Sequence, residues 1–218
     1  MSNWYSYNYC NEGRILFTNQ KVSFVMIRVP GTDFFIGETP VTQELWEEIM
    51  GNNPSHKTGS KQLPVESVSH IDCMSFIECL NSLTGRSFRL PSVKEWTCAA
   101  RSGDPEDRFK YAGSNDPEEV GWFAGLGLHP VRLKKPNSIG IFDMTGNVWE
   151  WTSDIDTVSQ PRCFITHKDG TMEAQTAYYL KGGSHFNGHQ SSKLTSSNSF
   201  GEHYKNYHLG MRLVLPAE

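Results

Sequence analysis

The sequence DMTGNVWEW, residues 143–151, carries two of the chain's six tryptophans at alternate positions. The Gly-Asn pair before them is of the residue types that favour turns. A turn followed by two large aromatic side chains predicts a corner of the fold, with Trp149 and Trp151 packed in a core. In that arrangement the carboxylates of Asp143 and Glu150 accept hydrogen bonds from backbone amides and serve the fold alone.

Downstream of this corner, residues 182–215 have the sequence GGSHFNGHQSSKLTSSNSFGEHYKNYHLGMRLVL. The ends are typical of a framework: a Gly-Gly-Ser turn at the start and a Gly-Met-Arg-Leu-Val-Leu strand at the end. The 24 residues between them, 185–208, mix His, Ser, Asn, Tyr, Phe and Gly with no helical or strand period. We call residues 185–208 the polar segment. Long loops inside a compact domain are usually functional, so this segment is the candidate functional region.

Upstream of the corner the patterns are more regular. Residues 22–37, VSFVMIRVPGTDFFIG, alternate and are interrupted by Pro-Gly, which predicts two short strands around a turn. Helices are predicted to start at caps on Thr42, Ser69 and Ser92, the last two with an acidic residue three positions on. The first two helices are predicted to stop at Gly51 and Gly85.

The apolar faces of these helices are predicted to carry Leu45, Trp46, Ile49 and Met50, then Phe76, Ile77, Leu80 and Leu83, then Trp96. Beyond residue 103 the helical pattern fades into short, turn-rich segments. We therefore predict one α+β domain over residues 1–218, with about three helices in the first half. Irregular loops and a small twisted antiparallel sheet are expected in the second half.

Composition excludes several classes of function. The net charge is −4, and no basic run offers a binding surface to nucleic acid. No stretch approaches 18 apolar residues, and the N-terminus lacks the pattern of a signal peptide, so we expect no direct membrane insertion. The localisation is not fixed by this: we expect a cytoplasmic protein by default, or one displayed through a partner. The five cysteines are odd in number and form no Cys-x-x-Cys pair, which favours free or buried thiols, with Cys98 expected to be buried and not a nucleophile.

Several motifs occur in order along nearly the whole chain, about residues 22–215: ETPVTQELWEEIMGNNPS, LPVESVSHIDCMSFIECLNSLTG, FRLPSVKEWTCAARSG, HPVRLKKPNSIGIFDMTGNVWEWTSD, LKGGS and LGMRLVL. Together they closely resemble the formylglycine-generating-enzyme (sulfatase-modifying factor) family. The resemblance implies a loop-rich C-type-lectin-like fold. Its most specific parts are GNVWEW and the upstream FRLPSVKEW, in which Glu95 is expected to cap its helix.

The resemblance also allows an enzymatic reading. Enzymatic members oxidise a sulfatase cysteine with copper held by two cysteines between the Gly-Gly-Ser turn and the closing strand. The polar segment contains no cysteine, and serines such as Ser192 and Ser197 lie where thiolates would be expected. Serine does not replace a thiolate towards Cu(I), so we expect that the chain is not an enzyme. A related branch, the iron-dependent sulfoxide synthases, uses histidines from an added helical domain for which this chain has no room.

A third branch of the fold is non-catalytic: the variable proteins of diversity-generating retroelements, whose C-terminal segment is rewritten at adenines and displayed to a ligand. Rewriting Asn codons yields Asn, Tyr, His, Asp, Ser, Thr, Gly, Phe and Leu among others, but no Gln, Glu, Lys, Trp or Met. Within the polar segment only Gln190, Lys193, Glu202 and Lys205 are of the excluded types, and the other 20 residues are reachable. An ordinary polar loop would also be rich in Ser, Asn and Gly, so that alternative stays open.

The segment's composition suits binding whatever its origin. Tyr, His and Phe give rigid contact area, and Ser, Asn and Gly give adaptable hydrogen bonds, as in antibody loops. The ligand is expected to be a macromolecule, most simply a protein. The predicted contact residues are His185, Phe186, Asn187, His189, Ser196, Asn198, Phe200, His203, Tyr204, Asn206, Tyr207 and His208.

No cofactor is expected to be required, but the resemblance implies a calcium site in the GNVWEW corner. Its ligands would be the carboxylates of Asp143 and Glu150 with the carbonyls of Gly146 and Val148, since Ca²⁺ prefers oxygen donors. The alternative is the purely structural corner described above. The histidines of the polar segment are expected to face solvent or ligand and not a metal. A structural accessory domain within a larger assembly is the third functional hypothesis.

Overall fold

Three sheets and four α-helices make up the fold in the computed structural model, which describes residues 3–9, 13–158, 164–166 and 168–217. The strands are β1 (Tyr5–Tyr9), β2 (Arg14–Thr18), β3 (Ser23–Arg28), β4 (Phe34–Gly37), β5 (Trp149–Ile155), β6 (Phe164–Thr166), β7 (Met172–Ala174), β8 (Ala177–Lys181), β9 (Asn198–Gly201), β10 (Leu209–Gly210) and β11 (Val214–Pro216). The helices are α1 (Gln43–Met50), α2 (His70–Thr84), α3 (Val93–Ala100) and α4 (Pro117–Val120). The α+β class is confirmed.

The larger sheet has the order β1-β2-β3-β4-β11 and is antiparallel throughout. The two strands expected over 22–37 are present as β3 and β4. The N-terminal hairpin β1–β2, which extends this sheet beside β3, was not predicted. The small sheet expected in the second half is a separate sheet, formed by β10, β5, β8 and β9. The last strand, β11, then pairs with β4, with Val214 opposite Ile36. The beginning and the end of the domain therefore meet in one sheet.

The smaller sheet has the order β10-β5-β8-β9 and holds the GNVWEW corner. It is mixed and not wholly antiparallel as expected, because β10 runs parallel to β5, with Leu209 opposite Trp149. The register between β5 and β8 shifts between Trp151 and Ile155, as in a β-bulge. Between β5 and β8 in the chain, strands β6 and β7 form a separate two-stranded hairpin.

The helix caps were predicted correctly. Thr42 caps α1, and Ser69 and Ser92 form capping boxes with Asp72 and Glu95 at the starts of α2 and α3. The left-handed residues Gly51 and Gly85 end α1 and α2. Two details differ from the sequence prediction. Leu83 is 41% exposed and lies off the buried face of α2, and the short helix α4, capped by Asp116, was not predicted.

Aromatic side chains fill the core that these elements share. Trp46 of α1 stacks on Phe76 of α2 with ring centroids 4.9 Å apart. Trp149 and Trp151 are buried as predicted, and Trp96 of α3 is buried against the second sheet. The core thus fixes the corner from which the polar segment departs.

Candidate ligand-binding surface

The polar segment leaves the framework through a Gly182–Gly183 turn in which both residues have positive φ, +97° and +73°. A Cβ on Gly183 would lie 2.0 Å from the hydroxyl of Ser192, so the segment folds back directly onto this turn. Contrary to the sequence reading, the segment contains regular structure: a 3₁₀ turn at His189–Ser192 and strand β9. Its backbone is therefore placed by local structure as well as by the flanking strands.

A buried lysine holds the middle of the segment. Lys181, on β8, donates from Nζ to the carbonyl of Leu194 at 2.7 Å and to that of Ser196 at 2.6 Å. Burial lowers the pKa of Lys181 to about 8. Leu194 itself is 2% exposed and packs in the core beside Trp96. Lys181 and Leu194 thus hold the backbone of the turn that follows the 3₁₀ helix. Exposed side chains around this turn are not needed to hold it.

Asn187 is also part of the scaffold. Its side-chain oxygen accepts hydrogen bonds from the indole of Trp149 at 2.8 Å and the hydroxyl of Ser184 at 2.7 Å. Its carbonyl accepts from the amide of Ala124. Asn187 therefore joins the polar segment to the GNVWEW corner. This structural role is additional to its predicted role as a ligand contact.

The two ends of the segment form a first aromatic patch: His185, Phe186, Tyr207 and His208. The Phe186 ring is perpendicular to that of Tyr207 at 5.6 Å and nearly parallel to that of His208 at 5.5 Å. Burial lowers the pKa of both histidines; nearby Lys57 and His129 lower that of His185 further, and His185 lowers that of His208 further. Because the pKa values lie below the ordinary value, these rings are mostly neutral at pH 7 and present an aromatic, weakly polar surface.

A second aromatic patch consists of Phe200, His203 and Tyr204, after strand β9. The rings of Phe200 and Tyr204 stack with centroids 4.3 Å apart, and Asn206 donates from its amide to the Tyr204 hydroxyl at 2.9 Å. The loop after β9 is fixed to α2, since the amide of Ile71 donates to the carbonyl of Glu202. The two patches lie at opposite edges of the second sheet, because one adjoins β10 and the other adjoins β9.

His189, Ser196 and Asn198 lie between these patches in the chain. The His189 ring hydrogen-bonds the hydroxyl of Tyr111 at 2.8 Å, although the side chain is exposed. The Ser196 hydroxyl donates to the carbonyl of Gln190, and the Asn198 side chain accepts from the amide of Ser199. Ser196 and Asn198 therefore make local contacts within the segment, whereas His189 joins the segment to Tyr111.

The twelve predicted contact residues divide by burial. Exposed are Phe186, His189, Asn198, His203, Tyr204 and Tyr207; half-buried are His185, Asn187, Ser196, Phe200 and Asn206; His208 is buried. His208 supports the Phe186 ring and offers little surface of its own, so contact by His208 would be through its edge. The exposed members are aromatic or hydrogen-bonding side chains, divided between the two patches and the residues that lie between them in the chain.

Comparison with known proteins places this geometry in a family. A family model described as "Sulfatase-modifying factor enzyme 1-like domain" matches residues 10–217. The chain belongs to this family. The sequence resemblance is thereby confirmed over nearly the whole chain.

The proteins to which this chain is similar have names that refer to different functions. The chain is 30% identical to "Chaperone protein LppX" of Paenibacillus barcinonensis, over 65% of this chain and 70% of that protein. It is 30% identical to "Inactive C-alpha-formylglycine-generating enzyme 2" of Mus musculus, over 52% of this chain and 39% of that protein. Among solved structures, "Treponema denticola variable protein 1" superposes with a TM-score of 0.75 at 25% identity, covering 93% of this chain and 99% of the other. The expected loop-rich C-type-lectin-like fold is confirmed.

The copper chemistry of enzymatic family members does not fit the residues present. Ser192 is fully buried beneath Gly183, and Ser197 lies exposed on the surface. Serine hydroxyls are poor donors to Cu(I), and the polar segment has no cysteine to offer instead. Among the described cysteines, Cys73 is buried and Cys79 exposed, while Cys98 is half-buried where we expected it to be fully buried. Burial raises the pKa of the Cys98 thiol, which disfavours the thiolate.

The calcium site of the GNVWEW corner fits only in part and stays a prediction. Both oxygens of Glu150 accept hydrogen bonds from the guanidinium of Arg212, at 2.8–3.1 Å, and Glu150 also accepts from the Trp96 indole at 2.6 Å. Asp143 accepts from the amide of Arg132, but its other oxygen has no hydrogen-bond partner among the described residues. Burial raises the pKa of Asp143, which disfavours the charged carboxylate. Gly146, at φ +75°, and Val148 lie in the same buried corner. Among the described residues, no group of three His, Cys, Asp or Glu side chains converges as a metal site.

Sequence reasoning missed the neighbours that other parts of the chain bring to the polar segment. His56, in the loop after α1, lies 6.2 Å from the Tyr207 ring, and Phe164 of the β6–β7 hairpin lies beside the second aromatic patch. Neither residue belongs to a motif, and only the folded chain brings them to the segment. Within the described ranges, no helix combines the length and apolar character needed to cross a membrane.

Proposed function

We propose that this chain is a non-enzymatic binding protein that presents the exposed side chains of the polar segment to a protein ligand. We further propose that the segment is diversified in the manner of retroelement variable proteins. The similarity to a solved structure named a variable protein supports this reading, as does the similarity to a relative named inactive. The sequence of the segment supports it too, since 20 of its 24 residues are types that adenine rewriting of Asn codons can produce.

One observation carries the proposal: the segment's backbone is held by buried groups, while its aromatic and polar side chains face outward. Lys181, Asn187 and Leu194 do the anchoring, through hydrogen bonds or core packing. Phe186, Tyr204 and Tyr207 are more than one third exposed, although aromatic side chains of this size are normally buried. A fixed backbone with exposed aromatic side chains matches what a variable recognition surface requires.

The DNA around the gene tests the diversification directly. We expect a nearby repeat that is almost identical to the codons of residues 185–208 and differs from them only where the repeat has adenine. Substitutions among closely related isolates should then concentrate at exposed positions such as Phe186, His203 and Tyr207, and spare Leu194. A neighbourhood without such a repeat, or isolates that vary evenly between exposed and buried positions, would contradict diversification.

Metal analysis tests the enzymatic alternative. The purified chain should hold less than stoichiometric copper and iron after exposure to either metal, because the polar segment lacks thiolates. Stoichiometric copper or iron that survives dialysis would favour an oxidase or a sulfoxide-synthase relative instead.

A further inference from the structure

A groove opens between the second aromatic patch and the β6–β7 hairpin. It has a volume of about 360 Å³. One wall is Phe200, His203 and Tyr204 of the polar segment, and the other is strand β6, Phe164–Thr166. The hairpin lies outside residues 185–208, so this wall belongs to the framework and not to the polar segment.

The floor of the groove is fixed by close packing. Gln175, between β7 and β8, lies so near strand β9 that a Cβ on Gly201 would be 2.2 Å from its side-chain oxygen. The same oxygen accepts a hydrogen bond from the amide of His203. Gln175, which directly follows β7 of the hairpin, therefore packs against the end of β9, while the side chains at 200, 203 and 204 can change.

The hairpin wall exposes apolar side chains that nothing in the described chain covers. Phe164 is 47% exposed and Met172 is 64% exposed. They lie on the same face of the hairpin, because Thr166 pairs with Met172 and shares a face with Phe164. A two-stranded sheet is only marginally stable alone in water, so covering this face would stabilise it.

We propose that the β6–β7 hairpin is the constant wall of the ligand site, and that an extended segment of a protein ligand lies in the groove with an apolar side chain against Phe164. This inference rests on the proposed binding function.

An extended peptide fits for two reasons. Strand β9 is the outer strand of its sheet in the described chain, so its free edge can pair with a peptide backbone. The groove has room for a side chain or two but not for a globular surface. A small molecule could fill the volume but would leave the strand edge and Met172 uncovered.

Peptides provide the probe, because they carry the backbone and side chains that the groove is proposed to take. Twelve-residue peptides are selected from a random displayed library on the immobilised wild-type chain, synthesised, and measured for affinity by fluorescence anisotropy. Each is measured against Phe164→Ser, Met172→Ser and Tyr204→Ser. Val158→Ser is the matched control, since Val158 is an 80% exposed apolar residue outside the groove lining. All four positions are exposed, so thermal unfolding should confirm that the variants fold.

The proposal expects a group of peptides whose affinity falls about tenfold or more with both Phe164→Ser and Tyr204→Ser, and is unchanged by Val158→Ser. Amides of the hairpin should exchange more slowly with solvent deuterium when such a peptide is bound. The proposal is overturned if every peptide that responds to Tyr204→Ser ignores Phe164→Ser. It is overturned as well if the wild-type chain is a dimer that Phe164→Ser dissociates, because the face would then be covered by a second copy.

Failure of this inference can be told apart from failure of the proposed function. The variants Phe186→Ser and Tyr207→Ser remove the first aromatic patch and leave the groove intact. If peptides respond to these variants but not to the hairpin variants, the polar segment binds ligand without the constant wall. If no selected peptide responds to any variant within 185–208, both proposals fall.

Discussion

Arg212 and Glu150 form a buried ion pair that joins the GNVWEW corner to residues 211–213, which connect β10 with β11. Both side chains are at most 1% exposed. The guanidinium also donates to the carbonyls of Gly37 and Phe142, so all parts of it that are away from Glu150 have partners as well. The pair therefore links both sheets and the corner at a single point. Asp143 and Glu150 both resemble metal ligands in sequence. Because Glu150 is buried against Arg212, the two carboxylates need not have the same role.

Replacing Arg212 should be among the most destabilising changes in the molecule. Arg212→Leu leaves Glu150 buried with the Trp96 indole as a hydrogen-bond donor but no cation to balance its charge, which costs about 3–5 kcal/mol of unfolding free energy. Chemical denaturation measures the loss. The control is Arg108→Leu, because the Arg108–Glu106 pair is more than two thirds exposed on both sides and should change stability by less than about 1 kcal/mol. Similar losses in the two variants would contradict the assigned role of Arg212.

His70 should make the fold sensitive to acid. It stacks on Tyr178 with ring centroids 3.6 Å apart, and burial lowers its pKa to about 4 from the ordinary 6.5. The unfolded chain therefore takes up a proton near pH 6.5 that the folded chain resists until about pH 4, so stability falls as the pH falls through this window. This lowering of the His70 pKa corresponds to a loss of about 3 kcal/mol in the free energy of unfolding.

Denaturation at pH 7 and at pH 4 measures this loss. His70→Phe keeps a stacked ring and should flatten the pH dependence by about that amount, whatever its effect at pH 7. The exposed His203, as His203→Asn, should leave the slope unchanged. A His70→Phe slope equal to that of the wild type would show that other groups control acid unfolding.

At the scale of elements, local rules predicted the helices well and the sheets poorly. The caps at Thr42, Ser69 and Ser92 and the stops at Gly51 and Gly85 were predictable, because each depends on contacts within a few residues. The pairing of β11 with β4 depends on a partner far along the chain, which a single sequence does not reveal. The same limit applies to the site: the polar segment was found from its composition, but its walls at His56 and Phe164 were not.

The Gly182–Gly183 turn sets the geometry of the polar segment. Gly183→Ala would put a methyl group 2.0 Å from the Ser192 hydroxyl at a φ of +73°. Because the clash involves the buried backbone of Ser192 as well, we expect a loss of about 2 kcal/mol or more, with faster hydrogen exchange around Leu194. Gly188→Ala is the matched control within the same segment.

Gly188 has a φ of −63° and open space around its Cα, so alanine there should be neutral or slightly stabilising. Thermal unfolding and hydrogen exchange of the two variants decide the point. If Gly183→Ala were tolerated as well as Gly188→Ala, the turn would not fix the segment as described.

At the scale of the whole molecule, the residues that hold the framework are largely separate from the exposed residues that we propose bind ligand. The first sheet, the helices and the Glu150–Arg212 pair hold the framework, and the chain's two ends close it through β11 and β4. The polar segment spans the second sheet from the β8 side to β10 and contributes few side chains to the core, chiefly Ser192, Leu194 and His208. Because few of its side chains are in the core, exposed residues of the polar segment can be substituted while the buried residues stay constant.

The central claim, that exposed residues of the polar segment determine binding on a constant framework, is tested most directly by a displayed library. Phe186, His189, His203, Tyr204 and Tyr207 are randomised together, and binders are selected separately against purified lysozyme, ovalbumin and transferrin. We predict specific binders to each protein that lose binding when these five residues revert, with thermal midpoints within about 5 °C of the parent chain. A library whose members mostly fail to fold, or binders that survive reversion of all five residues, would contradict the claim.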